Sequence, residues 1–280
     1  MDKERLENAV EAILLIAFFT LILFLGPAAA SERTIAHEYP VGYAASDAFQ
    51  HQSRAEAIKK MGEYKTEIPY MMVGLSDVTG FYPPVLYHIT VLFSHLAGLE
   101  TYDALFFIVG FCMALAALVA YFLTKNIGKL AALLALPLTL FIATGKPFLG
   151  AATFGQMPVV VSGLFLMATA WAIAKAKLPR IYLLVAIFLA GTIMTHTSEA
   201  LFFAIMMVLI FTVVIASKVL EGKLYALRTI LSENKNLFLA VAITAVLTAY
   251  FLPLFIGIWM KIQPYKFKVE KISESFPAAT

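Results

Sequence analysis

The segment PVLYHITVLFSHLAG, residues 84–98, decides how the chain is threaded through a membrane. It is apolar, but it follows Pro83, begins with Pro84, and carries His88 and His95. A helix that crosses the hydrocarbon core needs about 20 apolar residues, and this segment is shorter. Whether it crosses sets the side of the membrane on which every later loop lies.

The composition around this segment is that of a polytopic membrane protein. Of the 280 residues, 61% are hydrophobic and 14% charged, and the mean hydropathy is +0.84. Soluble domains carry about 25% charged residues. The net charge of +3 is small and spread among loops, which indicates membrane orientation and not nucleic-acid binding. The single cysteine, Cys112, lies in an apolar run and gives neither a disulfide framework nor a cysteine metal site. Hydrophobic runs lie at about 10–29, 84–98, 103–124, 130–145, 157–174, 181–195, 199–217 and 236–260.

The basic residues indicate which runs cross. They cluster at Lys125 with Lys129, at Lys175 to Arg180, and between Lys218 and Lys235. If every run crosses and the N-terminus is inside, all three clusters fall outside. If 84–98 lies at the interface and does not cross, all three are inside, as positive loops prefer. The lysines of the tail after Met260 are the one conflict with this rule.

The sequence therefore predicts an all-α protein of the cell membrane with about seven transmembrane helices. Its N-terminus is cytoplasmic, and its first run is an uncleaved anchor. Residues 1–280 form a single module, in which 30–102 is the first external loop. That loop contains two interfacial helices, at about 46–63 and 84–98.

A polar segment in this loop combines an acid, an imidazole and a guanidinium. Ser46 caps a helix on which Asp47, His51 and Arg54 share one face. The helix dipole keeps an acid in the first turn ionised, so Asp47 can accept a proton or hold a metal. Arg54 can bind a phosphate through two parallel hydrogen bonds. Spacing alone leaves a second interpretation open, a solvated helix whose charges form surface ion pairs.

Two further external segments carry polar groups. His196 and Glu199 lie in the turn between two apolar runs, where ionisable groups are functional candidates. Alternatively, Thr197 or Ser198 caps the next helix and Glu199 only complements its dipole. The loop at about 145–157 is rich in glycine and contributes Lys146 and Gln156, or is an ordinary loop with one snorkelling lysine.

The order of these parts resembles the GT-C class of integral-membrane glycosyltransferases. An N-terminal anchor is followed by an external Asp47-x-x-x-His51-x-x-Arg54, and Tyr82-Pro83-Pro84 then opens an interfacial helix. A crossing helix next ends at a basic turn, and a short return helix follows. The class includes oligosaccharyltransferases, protein O-mannosyltransferases and aminoarabinose transferases. The resemblance covers about residues 10–215.

This resemblance implies transfer of a sugar from a polyprenyl phosphate to an acceptor at the external face, with inversion at the anomeric carbon. Asp47 corresponds to the general base, and the donor phosphate is expected at Arg54, Lys146 and His196. The remaining candidates for donor binding are His51, Gln156 and Glu199. Metal-dependent members use carboxylates in the second external loop, which has none here, so a reaction without metal or other cofactor is favoured.

Full-length members of the class usually carry more helices and often a soluble C-terminal domain. The expected partners are thus the bilayer, the lipid-linked donor, an unknown acceptor, and a membrane partner subunit or a missing C-terminal part. One alternative function is a non-catalytic subunit or lipid-binding scaffold of the same fold. A transporter or flippase is a further alternative, which the absence of an inverted repeat disfavours.

Overall fold

The computed structural model describes residues 3–34, 46–64, 82–144, 150–151, 154–175, 180–220 and 234–249, with the single residues 232 and 251. These residues form nine α-helices and no strand, which confirms the all-α class for this part of the chain. The helices are α1 (Lys3–Thr34), α2 (Ser46–Met61), α3 (Val85–Ala97), α4 (Thr101–Thr124), α5 (Lys129–Thr144), α6 (Met157–Ala174), α7 (Ile181–Ile193), α8 (Thr197–Leu220) and α9 (Lys235–Thr248).

Four helices in the described part are long and apolar enough to cross a membrane: α1 over Glu4–Leu25, α4, α6 and α8. The other apolar helices, α3, α5, α7 and α9, have 13 to 16 residues. At a rise of about 1.5 Å per residue they are roughly 20–24 Å long. The protein is thus a membrane protein by its helices, and the number of seven spans stays a prediction.

Contacts at the two ends of α4 fix where its neighbours lie. At its start, the hydroxyl of Thr101 donates to the carboxylate of Glu56 in α2, at 2.7 Å. At its other end, Lys125 pairs with Glu11 of α1. The start of α1 and the basic α4–α5 turn therefore share one end of the bundle, the basic end. Helices α2 and α3 gather at the opposite end, the α2–α3 end.

The carboxylate of Glu11 fastens α1 to the basic end. It is 7% exposed, accepts from the hydroxyl of Tyr121 at 2.8 Å, and lies 3.2 Å from the Lys129 ammonium. A carboxylate this well buried is stable only when its charge is compensated, and the two lysines compensate it.

The main core lies where α2, α3, α4 and α6 meet. It is formed by Ala48, Ala55, Ile58, Leu86, Tyr87, Leu105, Phe106, Ile108, Val109, Cys112, Met157, Val161 and Leu164. Because α2 supplies small residues here, it approaches its neighbours closely and buries the face that bears His51 and Arg54. This burial excludes the interpretation of that face as solvated.

Helix α3 is attached to the turn between α7 and α8. The two prolines before it donate no backbone hydrogen bond, but the next amide, that of Val85, donates to the carbonyl of Met194 at 3.0 Å. Helix α3 ends at Gly98, whose φ of 67° is the left-handed conformation typical of a residue that stops a helix. The segment that precedes α3 is therefore held beside His196.

Candidate functional site

The imidazole of His51 ties three elements together. Its Nδ1 lies 2.8 Å from the hydroxyl of Tyr87 in α3, and its Nε2 lies 2.9 Å from the carbonyl of Gly155, just before α6. A carbonyl can only accept, so Nε2 carries the hydrogen and Nδ1 accepts from the Tyr87 hydroxyl. Neither ring nitrogen is left for a phosphate, and this geometry assigns His51 a positioning role.

Burial keeps this pair uncharged. It lowers the pKa of His51 to about 3, the charge of Arg54 lowers it further, and the hydrogen bond to Gly155 opposes both effects. Burial also raises the pKa of Tyr87 well above its usual value. At neutral pH His51 therefore contributes no positive charge to the site, and Tyr87 remains a donor.

The guanidinium of Arg54 is the unusual group of the site. It is 1% exposed, and none of its three nitrogens has a hydrogen-bond partner among the described residues. Its Cζ lies 5.8 Å from the ring centroid of Tyr82 and 5.9 Å from that of Tyr87. Such cation–π contacts return only about 0.5–2 kcal/mol, much less than the penalty for burying an isolated charge. The charge of Arg54 is therefore not compensated by a hydrogen-bond acceptor among the described residues.

Tyr82 lies at the centre of the site, although its motif predicted only a helix start and a family resemblance. Its ring stacks on that of His196, with centroids 6.1 Å apart and 19° between planes. It also meets His51 edge to face at 4.7 Å. Burial raises the pKa of Tyr82, the charge of Asp47 raises it further, and Arg54 opposes both. Tyr82 therefore lies within electrostatic reach of both the acid and the guanidinium of α2.

His196 and Glu199 form a hydrogen-bonded pair in the turn that leads into α8. Nδ1 of His196 contacts the Glu199 carboxylate and lies 2.8 Å from the hydroxyl of Ser198. The two side chains are 24% and 18% exposed. The hydroxyl of Ser162 in α6 lies 3.3 Å from the carbonyls of both Thr192 and His196, which holds the turn against α6.

Gly155 brings the loop before α6 onto the first turn of α2. Its φ of +85° is left-handed, and a Cβ there would lie 2.5 Å from the amide nitrogen of Ala48 and 2.6 Å from two atoms of Asp47. Only glycine permits this approach. Asp47 and Gln156 are both exposed at this point. Sequence analysis missed the role of Gly155, although the glycine-rich composition of its loop was the available signal.

These contacts bring five of the predicted site residues together at the α2–α3 end: Asp47, His51, Arg54, His196 and Glu199. A sixth, Gln156, follows Gly155 in the chain. The seventh, Lys146, lies outside the described residues. In the described part of the chain no group of three or more histidine, cysteine, aspartate or glutamate side chains could hold a metal. No protein-family model matches the chain, and no curated protein or solved structure matches it either.

An apolar cavity of about 490 Å³ begins one turn below this site. At the site end it is lined by Ile193, Ala200 and Phe203, which neighbour His196 and Glu199 in the chain. It then follows α8 between α7 and α9, and its other lining residues are Ile173, Val185, Leu189, Ala204, Met207, Val208, Phe211, Leu237, Phe238, Val241, Thr244, Ala245 and Thr248. One end of the cavity therefore lies next in the chain to the His196–Glu199 pair.

Proposed function

We propose that the protein is a membrane glycosyltransferase that transfers a sugar from a polyprenyl phosphate to an acceptor hydroxyl. The observation that carries this proposal is the buried guanidinium of Arg54, without a hydrogen-bond partner in the described structure. It supports an anionic ligand, because a phosphate supplies both the missing charge and oxygens in the geometry that a guanidinium binds with two bonds.

The apolar cavity supports a lipid as the carrier of that phosphate. It extends from the residues beside His196 and Glu199 along α8, and among its described lining residues Thr244 and Thr248 are the polar ones. Thr244 already donates to the carbonyl of Ala240 at 2.9 Å, so its hydroxyl adds little polarity. An isoprenoid chain suits such a lining, because it is as apolar as the lipid around the helices and needs no hydrogen bonds from the cavity wall. The phosphate then lies at the head of the cavity.

In the proposed reaction Asp47 is the general base. It accepts the proton of the acceptor hydroxyl while that oxygen attacks the anomeric carbon from the face opposite the phosphate. The bond between the anomeric carbon and the phosphate oxygen breaks, and its electron pair stays on that oxygen. Arg54 offsets the charge that develops there. The resemblance assigns Lys146 the same role.

The side of the membrane follows from charge. Basic residues lie between α4 and α5, at Lys125 and Lys129. Others flank the next connection: Lys175 directly follows α6, and Arg180 directly precedes α7. The positive-inside rule places these turns in the cytoplasm. The α2–α3 end, with Asp47 and Arg54, then faces outward, where the acceptor binds.

The test uses the purified full-length chain in lipid nanodiscs with two probes, dolichyl phosphate linked to radiolabelled mannose or to radiolabelled glucose. Release of sugar to water or to an added sugar acceptor is measured. Asp47→Asn should lower turnover at least about 100-fold and leave donor binding intact. Arg54→Met should weaken donor binding about 10- to 100-fold, because a hydrogen bond to a charged group contributes about 1.5–3 kcal/mol.

Arg180→Met is the matched control, because Arg180 is an exposed arginine that directly precedes α7, at the basic end. It should bind and turn over the donor as the wild type does. Transfer by Asp47→Asn at the wild-type rate would remove Asp47 as the base. Equal donor binding by Arg54→Met and Arg180→Met would remove the phosphate site.

A non-catalytic membrane subunit of the same fold is the second candidate, and the surface of α8 favours it. Only Phe203 is buried along this helix in the described structure. Outside the cavity, exposed apolar side chains such as Leu201, Phe202 and Leu209 are available to lipid or to a partner helix. This candidate predicts co-purification with a larger membrane protein and no turnover by the chain alone. Sugar transfer by the isolated chain would refute it.

A further inference from the structure

We propose that His196, in its protonated form, is the proton donor to the leaving phosphate, and that Glu199 is the positioning residue that holds it. This inference rests on the proposed transfer reaction and adds to it a second proton-carrying residue beside Asp47. It goes beyond the role of holding the phosphate that the sequence predicted for His196.

The hydrogen bonds of His196 fix which nitrogen faces the phosphate. Nδ1 is taken up by the Glu199 carboxylate, which can only accept, so this nitrogen carries a hydrogen. Nε2 has no hydrogen-bond partner among the described residues. In the imidazolium form, Nε2 therefore carries the proton that is free to move.

The position of the ring places that proton in the phosphate site. The ring of His196 stacks on Tyr82, and Tyr82 also lies below the guanidinium of Arg54. The charges of both Arg54 and His196 lower the pKa of His51, so each of them lies within electrostatic range of His51. Both groups thus contact the same Tyr82 ring, and the proposal places the phosphate at the edge of that ring, within reach of both.

The charged and titratable groups around His196 come from several elements. Glu199 on α8 carries the acidic group that contacts the ring, and Arg54 on α2 carries the cation on the far side of the Tyr82 contact. Tyr82, before α3, and His51, on α2, are neutral partners. From α6 only the uncharged hydroxyl of Ser162 contacts this turn in the described structure.

The proposed step balances in protons and charge. The donor is a phosphodiester with one negative charge. When the bond between the anomeric carbon and the bridging oxygen breaks, that oxygen keeps the electron pair and the donor becomes a phosphate monoester. The proton on Nε2 of His196 moves to that oxygen, and the proton of the acceptor hydroxyl moves to Asp47. His196 is left neutral, with its remaining hydrogen on Nδ1 bonded to Glu199, and solvent exchange restores both residues.

A phosphate monoester and a histidine side chain have similar ordinary acidities. The second pKa of a phosphate monoester is about 6, and that of histidine is about 6.5. General acid catalysis is most effective when the donor's pKa lies near the working pH. The pair is partly exposed, at 24% and 18%, which allows water to return the proton between turnovers.

The test is the pH dependence of sugar release from dolichyl phosphate mannose by the full chain in nanodiscs. In the wild type, kcat should fall at high pH as His196 loses its proton. His196→Gln should lose that limb and lower kcat about 10²- to 10⁴-fold with little change in KM. Glu199→Gln should shift the limb to lower pH and keep turnover at low pH. His95→Gln, an exposed histidine of α3, should match the wild type.

The outcomes separate this inference from the proposed function. A His196→Gln variant with the wild-type profile and kcat would overturn the proton-donor role, while Asp47-dependent transfer would still stand. A rise in KM alone would also overturn it, since His196 would then only hold the phosphate. If the wild type transfers no sugar, both proposals fail. Where His196→Gln does not fold, an unshifted limb in Glu199→Gln overturns the role of the pair.

Discussion

Replacing Gly155 by alanine should separate the loop before α6 from the first turn of α2. The added Cβ would lie 2.5 Å from the amide nitrogen of Ala48 and 2.6 Å from the carbonyl carbon and Cβ of Asp47. Two of these three atoms belong to the backbone, so no side-chain rotation relieves the contact. Either α2 or the loop must move, and both carry parts of the candidate site.

The expected loss of stability has two parts. Alanine in a left-handed conformation such as φ +85° costs about 1–2 kcal/mol. Overpacking against a fixed backbone costs a further 1–3 kcal/mol, approximately. If the loop moves, the carbonyl of Gly155 also leaves the Nε2–H of His51, now 2.9 Å away, without a buried acceptor. Together these effects predict a loss of about 2–5 kcal/mol.

Two other glycines provide matched controls. Gly62 has a φ of +75° and nothing within 4 Å of the added Cβ, so Gly62→Ala measures the backbone cost alone. Gly150 has no left-handed φ and also nothing within 4 Å, so Gly150→Ala should be close to neutral. The assays are thermal unfolding of the purified chain in detergent and sugar release from dolichyl phosphate mannose. Gly155→Ala should be the least stable of the three and should lose most of its turnover.

The comparison with Gly62→Ala decides the result. If Gly155→Ala and Gly62→Ala unfold at the same temperature and release sugar at the same rate, the loop does not press on α2 as the structure places it. The position of Asp47 would then not depend on Gly155.

Two further predictions concern buried charges. Because burial lowers the pKa of His51 from 6.5 to about 3, the unfolded chain binds a proton that the folded chain excludes between these values. The free energy of unfolding should therefore fall by about 1.4 kcal/mol per pH unit as the pH decreases from 6.5 towards 3. His51→Gln should flatten this slope in thermal unfolding measured from pH 7 to 4. An unchanged slope would contradict the neutral, buried state of His51. Glu11→Gln should destabilise the chain by about 1–3 kcal/mol, since it leaves Lys125 and Lys129 without their shared carboxylate. The control Glu7→Gln should change stability by less than about 1 kcal/mol, because Glu7 is exposed and lies 4.0 Å from Lys129. Equal unfolding temperatures for these two variants would contradict the role of Glu11.

Sequence was sufficient where local pattern controls the structure. Helices occur at both predicted segments, about 46–63 and 84–98, as Ser46–Met61 and Val85–Ala97, and their interfacial position stays a prediction. Both have strong local boundaries: Asp47 in a first turn, a double proline before α3, and left-handed glycines at 62 and 98. The long apolar helices are also decided by composition alone, because in lipid the polar backbone groups must hydrogen-bond within the segment, as a helix allows.

Sequence was insufficient where the site depends on contacts between distant elements. His51 meets Gly155, 104 residues away, and Tyr87, 36 residues away. No spacing rule on α2 reveals that its polar face packs inward, since a helix with the same pattern is ordinarily solvated. Tyr82 and Tyr87 likewise look like ordinary aromatic residues near a helix start until Arg54 is placed over both rings.

The segment at 84–98 determines whether a shared site is formed at all. Glu11 lies beside Lys125, at the end of α4, whereas Glu56 lies beside Thr101, at its start. If α1 crosses the membrane once, α2 lies on the other side of the membrane from the start of α1. Helix α4 begins on the same side as α2. No net crossing then remains for α3, which agrees with its length and is independent of the positive-inside rule. Had this segment crossed, the α7–α8 turn and α2 would lie on opposite sides, and His196 could not stack on the ring that lies beneath Arg54.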